Sequence, residues 1–308
     1  MQPDDGRPDH VLPEVDDGGG TVSWRQLWDE TAPLTGRPEA RWLCEEASGA
    51  FGEEFLDLLD QPVTERSMAH LDAMLARLRD GEPLQYVLGH WSFRRLDLLV
   101  DRRVLIPRPE TEFVAEIAIG VARTLLDGGA ARPVRLADLG TGSGAIGLSL
   151  ALELPRWAAE VWLTDLSPDA LDVARANAAG IGMAAAHVRF GQGAWFDALP
   201  AELRGALSLV VSNPPYVAHD DPGVEPIVRD WEPSMAVFAD GADDGLDAVR
   251  ALALGAGDWL QPGGRLVVEI GSGQGAGALQ VLTAAGLTEV EVRRDLAGRD
   301  RIALARKK

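Results

Sequence analysis

The chain has 308 residues, 46% hydrophobic and 25% charged, the balance of a folded protein with room for more than one core, which excludes fibrous and wholly disordered classes. Forty-eight acidic against 29 basic side chains leave a formal charge of −19, which repels phosphate backbones and anionic lipid, so general nucleic-acid or membrane binding is not expected. Cys44 is the single cysteine, which excludes internal disulfides and cysteine-based zinc or dithiol centres; with no basic-then-apolar leader and no long apolar run, a cytoplasmic protein is expected.

Residues 1–22 are rich in acids, prolines and glycines with little to bury, and read as a flexible acidic tail. From 23 to 83, segments such as SWRQLWDETAPL and TERSMAHLDAMLARLRDG place apolar residues at helical spacing, for example Met68, Leu71, Leu75 and Leu78. They predict a small helical domain with Trp24, Trp28 and Trp42 in its core. Residues 84–107, LQYVLGHWSFRRLDLLVDRRVLIP, lack that spacing and are rich in β-formers, predicting a β-hairpin linker. Pro109 then opens a helix with Phe113, Val114, Ile117, Ala118, Val121 and Leu125 on one stripe, ended by Gly128 and Gly129.

Strands and helices alternate through the rest of residues 108–308. VRLADLG, EVWLTDL, HVRF, LSLVVS and GRLVVEI read as strands, with helices between most of them. This order predicts an α/β, Rossmann-like domain with a parallel sheet covered on both faces. The last two strands, TEVEVRRD and RIALAR, stand too close for a helical crossover and should pair antiparallel.

The first of these strands runs into DLGTGSGA, residues 138–145, which opens a helix. Gly140, Gly142 and Gly144 allow positive φ and close ligand approach, and the helix start offers free N–H groups, so the loop suits a nucleotide-like molecule. The loose dinucleotide pattern is also met, leaving NAD and S-adenosylmethionine both open. Asp165 ends the second strand, where a carboxylate can accept both ribose hydroxyls; Ser167 and Pro168 already serve as cap and first residue of the next helix. Asp138 can orient the glycine loop or face the cationic end of a methionine-type ligand.

The fourth strand runs into NPPY, residues 213–216. Pro214 and Pro215 have no N–H, so the ladder stops there and the residue before each proline is held extended. Hydride transfer does not call for such a loop. Methylation of a planar amide or aromatic amine does: the Asn213 side-chain oxygen and the Pro214 carbonyl can accept the two N–H bonds while Tyr216 packs on the planar group. His219, Asp220 and Asp221 in the acidic, proline-rich loop 218–244 have no metal-ligand spacing and read as solvated.

NPPY, with IPRPETE at 106–112, DLGTGSGAIGL at 138–148, WEP at 231–233, DDGLD at 243–247 and GRDR at 298–301, resembles the peptide chain release factor glutamine N5-methyltransferases, from Ser23 to the C-terminus. The resemblance implies a class I methyltransferase sheet whose last strand is antiparallel, plus a helical substrate-recognition domain. It implies transfer of the S-adenosylmethionine methyl group to the glutamine of the release factor Gly-Gly-Gln loop, with S-adenosylhomocysteine as product and no metal. By match, Gly140, Thr141, Gly142, Ser143 and Gly144 bind the methionine and ribose side, Asp165 the ribose, and Asn213, Pro214, Pro215 and Tyr216 the glutamine. Trp195 matches a family tryptophan near the adenine, although Ala194 stands where many members carry an aspartate. DNA adenine methyltransferases share NPPY but need a basic duplex-binding surface. Ribosomal-protein glutamine methyltransferases differ at IPRPETE, and a non-catalytic nucleotide-binding module would have no use for NPPY.

Overall fold

The computed structural model describes residues 21–130, 132–239, 241 and 244–308; most of the expected acidic tail lies outside the described residues. The chain divides into two compact units, Met1–Ala76 and Arg77–Lys308.

The first unit is helical: α1 (Trp24–Thr35), α2 (Arg37–Ser48), α3 (Glu53–Asp57) and α4 (Glu65–Arg79), whose end lies in the second unit. Ser23 and Gln26 form a capping box at the start of α1. Trp24 is buried and meets Phe55 edge-on, and half-buried Trp28 also packs on Phe55. Trp42 departs from expectation and is exposed. The core face of α2 is Ala40, Leu43, Cys44 and Ala47, and at 100° per residue Trp42 projects from the opposite side.

The second unit begins with α5 (Leu84–Leu88) and the hairpin β1 (His90–Phe93) and β2 (Leu96–Leu99). Leu84–Leu88 is helical where β structure is expected; Pro83 precedes its first turn and Gly89 closes it in the left-handed conformation. After α6 (Pro109–Asp127) come β3 (Val134–Leu139), α7 (Ala145–Glu153), β4 (Ala159–Asp165), α8 (Pro168–Gly180), β5 (Val188–Gln192) and β6 (Leu207–Ser212). Then follow α9 (Pro226–Trp231), α10 (Ser234–Val237), α11 (Asp247–Trp259), β7 (Leu260–Glu269), α12 (Gly275–Ala284), β8 (Thr288–Arg294) and β9 (Asp300–Arg306). The buried stripe of α6 is Thr111, Val114, Ala115, Ala118, Ile119, Ala122 and Leu126, rotated from the expected one. Its alanines let the helix axis approach the sheet, while Phe113, Ile117 and Val121 flank the contact.

The seven strands lie in the order β5-β4-β3-β6-β7-β9-β8. All pair in parallel except β9, which is antiparallel to both β7 and β8. Successive residues feed opposite cores: Leu136, Leu209, Val211, Val267 and Ile302 on one face, Ala137, Val210, Leu266, Val268 and Ala303 on the other. Both faces are therefore buried, which is why these strands read as nearly unbroken apolar runs. Strand order reverses between β3 and β6, and at such a switch point the loops leaving the carboxyl ends diverge and open a crevice. DLGTGSG leaves β3 there and NPPY leaves β6.

The segment after NPPY is not a plain solvated loop. It contains α9 and α10 and returns to its start through a bridge between Val217 and Phe238. His219 stacks on Phe238, and Arg229 donates to the carbonyls of His219 and Asp221.

Candidate functional site

The glycine loop is set by backbone geometry. Gly140, Gly142 and Gly144 have φ of 73°, 55° and 89°, a region that costs other residues strain. The Gly140 and Thr141 N–H groups donate to the Thr164 carbonyl at 2.9 and 2.8 Å, which ties the loop to β4. A Cβ on Gly144 would stand 2.8 Å from Leu148 Cδ1, so that corner has neither the conformation nor the space for a side chain. Beneath it Asp138 is buried, its Oδ2 accepting from Thr141 Oγ1 at 2.6 Å and from the Gly147 N–H at 2.9 Å. Its Oδ1 is buried without a partner, and burial pushes the carboxyl up to about 6.

Asp165 closes β4 and is half-buried. Oδ2 accepts from the Gly142 N–H and Oδ1 from the Ser167 N–H, both at 2.9 Å. Burial raises its pKa, opposed by these N–H bonds. The cap of α8 is the Ser167 side chain, which accepts from the Ala170 N–H at 3.2 Å. Asp165 therefore locks the glycine loop and still presents its carboxylate to the crevice.

On the other side, Ser212 Oγ donates to the Leu139 carbonyl at 2.6 Å and holds the ends of β6 and β3 together. Asn213 Nδ2 donates to Thr111 Oγ1 at 3.2 Å, and Thr111 Oγ1 donates to Glu269 Oε2 at 2.8 Å. Tyr216 Oη meets Glu269 Oε1 at 3.3 Å. Glu269 ends β7 and is 1% exposed. Burial is the largest influence on it and pushes its carboxyl up to about 7, against the pull of Thr111, Arg301 and Tyr216. Burial and the neighbouring Glu269 also raise the Tyr216 phenol.

Thr111 belongs to IPRPETE, and that stretch is where most of the quoted motifs meet. Buried Glu232 of WEP accepts from the Ile106 N–H at 3.1 Å and from Arg108 Nη2 at 2.5 Å. Arg299 of GRDR reaches Glu110 at 3.2 Å. Gln274 spans from the Tyr216 carbonyl, at 3.1 Å, to that of Asp244 in DDGLD, at 2.8 Å; Asp243 of that motif lies outside the described residues. Buried Asn177 joins the Leu99 and Ser143 carbonyls, at 3.1 and 2.8 Å, and so fastens the hairpin to the glycine loop.

A cleft of about 270 Å³ opens between the two loops. Gly140, Thr141, Gly142, Ser143, Asp165, Trp195, Asn213 and Pro215 line it, with Thr111, Ile146, Ala194 and Met235. Asp138, Gly144, Pro214 and Tyr216 border this cleft in sequence but are not among its lining residues. Sequence reasoning assigned no role to Thr111, Arg108, Glu232, Gln274 or Glu269. For Glu269 a signal exists in the lone acid that closes the apolar run RLVVE.

The donor set suits an S-adenosylmethionine-type ligand. Asp165 is the sole carboxylate among the described lining residues, placed for a diol; Trp195, Ile146 and Ala170 are apolar walls for a base. Arg103 is the one cation among the described lining residues, and its guanidinium is held by Asp101 at 2.6 and 2.9 Å.

Two family models and many curated relatives match the chain. Residues 34–89 match the PrmC N-terminal domain and residues 122–228 the Methyltransferase small domain. The release factor glutamine methyltransferase of Xylella fastidiosa is 42% identical over 80% of this chain and 84% of its own length. That of Neisseria gonorrhoeae is 38% identical over 91% and 97%, and that of Moorella thermoacetica 47% identical over 73% and 75%. Among solved structures, a release factor-specific protein-(glutamine-N5) methyltransferase from Alicyclobacillus acidocaldarius is 25% identical over 66% of this chain and 94% of that one, with a TM-score of 0.39. At the identities and coverages of the three sequence relatives, the chain belongs to the release factor glutamine methyltransferase family.

Proposed function

We propose that the protein transfers a methyl group from S-adenosylmethionine to the side-chain nitrogen of the glutamine in the Gly-Gly-Gln loop of peptide chain release factors, in the cytoplasm. The observation that carries this reading is that the glycine loop with Asp165 and the NPPY asparagine line one cleft. A cofactor carbon and an amide nitrogen can meet there without either crossing the sheet.

S-adenosylmethionine, when bound, supplies a methyl carbon activated by an adjacent sulfonium. Gly140, Thr141, Gly142, Ser143 and Gly144 would hold its methionine and ribose side, Asp138 would set that loop from beneath, Asp165 would take the ribose and Trp195 would flank the adenine. The chain's own work is on the acceptor. An amide nitrogen is a poor nucleophile because its lone pair is delocalised into the carbonyl. The Asn213 side-chain oxygen and the Pro214 carbonyl accept its two N–H bonds, turn the lone pair toward the incoming carbon and favour the positive charge that develops. Pro215 walls the same side, and Tyr216 packs on the planar group from a position fixed by Glu269 and Gln274. The helical unit would engage the body of the release factor.

The test is methyl transfer from labelled S-adenosylmethionine to a purified release factor, beside a version whose Gly-Gly-Gln glutamine is changed to alanine. Label on the first and none on the second is expected. Label on neither, with cofactor still bound, would overturn the acceptor assignment.

A further inference from the structure

We propose that Glu269, acting through the Thr111 hydroxyl, fixes which way round the Asn213 carboxamide stands and keeps its oxygen turned to the acceptor amide. Glu269 and Thr111 are thus positioning residues for the methylation assigned above, and the inference rests on that reading.

The geometry is directional. An ionised carboxylate only accepts, a hydroxyl has one proton to give, and a carboxamide has a donor end and an acceptor end. With Glu269 ionised, Thr111 gives its proton to Oε2 at 2.8 Å, and the oxygen of Thr111 can then only accept from Asn213. Asn213 must therefore present Nδ2 to Thr111, which leaves Oδ1 for the cleft. A flipped carboxamide would set Oδ1 against a lone pair of a buried hydroxyl oxygen and leave both unsatisfied. In the cleft it would turn an NH2 toward the NH2 of the substrate, donor against donor.

The groups facing Glu269 are Thr111 and Glu110 from α6, Tyr216 from the NPPY loop and Arg301 from β9. Tyr216 gives its proton to the other carboxylate oxygen, so the anion is met by two donors and one cation, with Glu110 opposing. When the carboxyl takes up a proton and aims it at Thr111, the hydroxyl hydrogen is released to turn toward Asn213. Both orientations of the carboxamide are then satisfied and its direction is lost. With the Glu269 carboxyl held at about 7, the productive orientation is secured above that pH and lost below it.

The chain offers an unusual handle for the test, because Asn177 and Asn213 are its only asparagines. Selective 15N-asparagine labelling yields two side-chain amide signals, followed from about pH 5.5 to about pH 8.5. The Asn213 pair, identified by its loss in Asn213→Ala, should titrate with a midpoint near that of Glu269 while the Asn177 pair stays flat. Titration should persist in Thr111→Ser and vanish in Thr111→Val and Glu269→Gln. In methyl transfer to a release factor, Thr111→Val should lower kcat about tenfold, with KM and the affinity for S-adenosylmethionine within about threefold of wild type. Thr111→Ser should recover most of that loss, and Glu269→Gln should add nothing on a Thr111→Val background. The proposal is overturned if the Asn213 pair ignores pH and Thr111→Val, if Thr111→Val turns over like wild type, or if the two substitutions multiply. A wild type that methylates no release factor while its Asn213 pair still titrates through Thr111 would sink the acceptor assignment and leave the linkage standing.

Discussion

Replacing Glu269 by glutamine should make the protein more stable at alkaline pH, although it removes a charge from a hydrogen-bonded network. The carboxyl is 1% exposed and held at about 7 against an ordinary value of 4.5. A folded-state pKa raised above the unfolded one means that the folded protein holds the proton more tightly. The stability this provides is complete below about pH 4.5 and is lost as pH rises through 7. Ionising the group inside the fold thus costs about 2.5 × 1.36, or roughly 3 kcal/mol, at pH 8.5 and under ~1 kcal/mol at pH 5. Glutamine keeps both contacts, its oxygen accepting from Thr111 and its NH2 donating to Tyr216 Oη, without ever carrying the charge. Scanning calorimetry of wild type and Glu269→Gln should show melting temperatures within a few degrees at pH 5 and a variant higher by on the order of 10 °C at pH 8.5. Asp138 also titrates from a raised value, but it does so in both proteins and cancels from the difference. A gap that does not widen with pH, or a variant less stable at pH 8.5, would refute the reasoning.

Asn213→Ala should lower single-turnover methyl transfer by about two orders of magnitude, with calorimetric affinity for S-adenosylmethionine largely kept, since it removes a preorganised acceptor from the reacting nitrogen; equal turnover would remove Asn213 from the chemistry. Asp165→Asn replaces an oxygen that accepts an N–H bond with an NH2, so affinity for S-adenosylmethionine should fall about tenfold or more, measured by titration calorimetry. In Gly147→Ala the new Cβ would stand 2.6 Å from Leu163 Cδ1 and 3.0 Å from Asp138 Oδ2, which should destabilise the fold by about 1 to 3 kcal/mol in urea unfolding.

The central strands β3, β6 and β7 were legible because each is buried on both faces, so RLADL, LSLVV and RLVVE stand out as apolar runs whatever surrounds them. The meeting of glycine loop and NPPY was legible for a topological reason: both leave carboxyl ends of neighbouring parallel strands. What stayed hidden depends on contacts between distant residues. Glu269 gains its role from Thr111, 158 positions away, and no local pattern encodes that distance. The segment after NPPY looked solvated because its acids and prolines dominate its composition, yet Glu232 buries itself against Arg108, and Pro226 starts a helix instead of breaking one. Trp42 was misplaced by its size: bulk favours burial, but the other residues of α2 had already decided which face turns inward.

The way Ile106–Glu112 is held bears on when, during its own synthesis, the protein becomes competent. Its partners arrive late: Asn213, then Glu232, Glu269 and finally Arg299. β9 is made after both β7 and β8, and it inserts between them, bringing the Arg301 cation that favours the Glu269 anion. A growing chain that has reached only β6 can already close the glycine loop against β4. It has neither the acid that orients Asn213 nor the strand that shields the edge of β7. The contacts that fasten Asn213 are thus completed by later parts of the chain than those that fold the glycine loop.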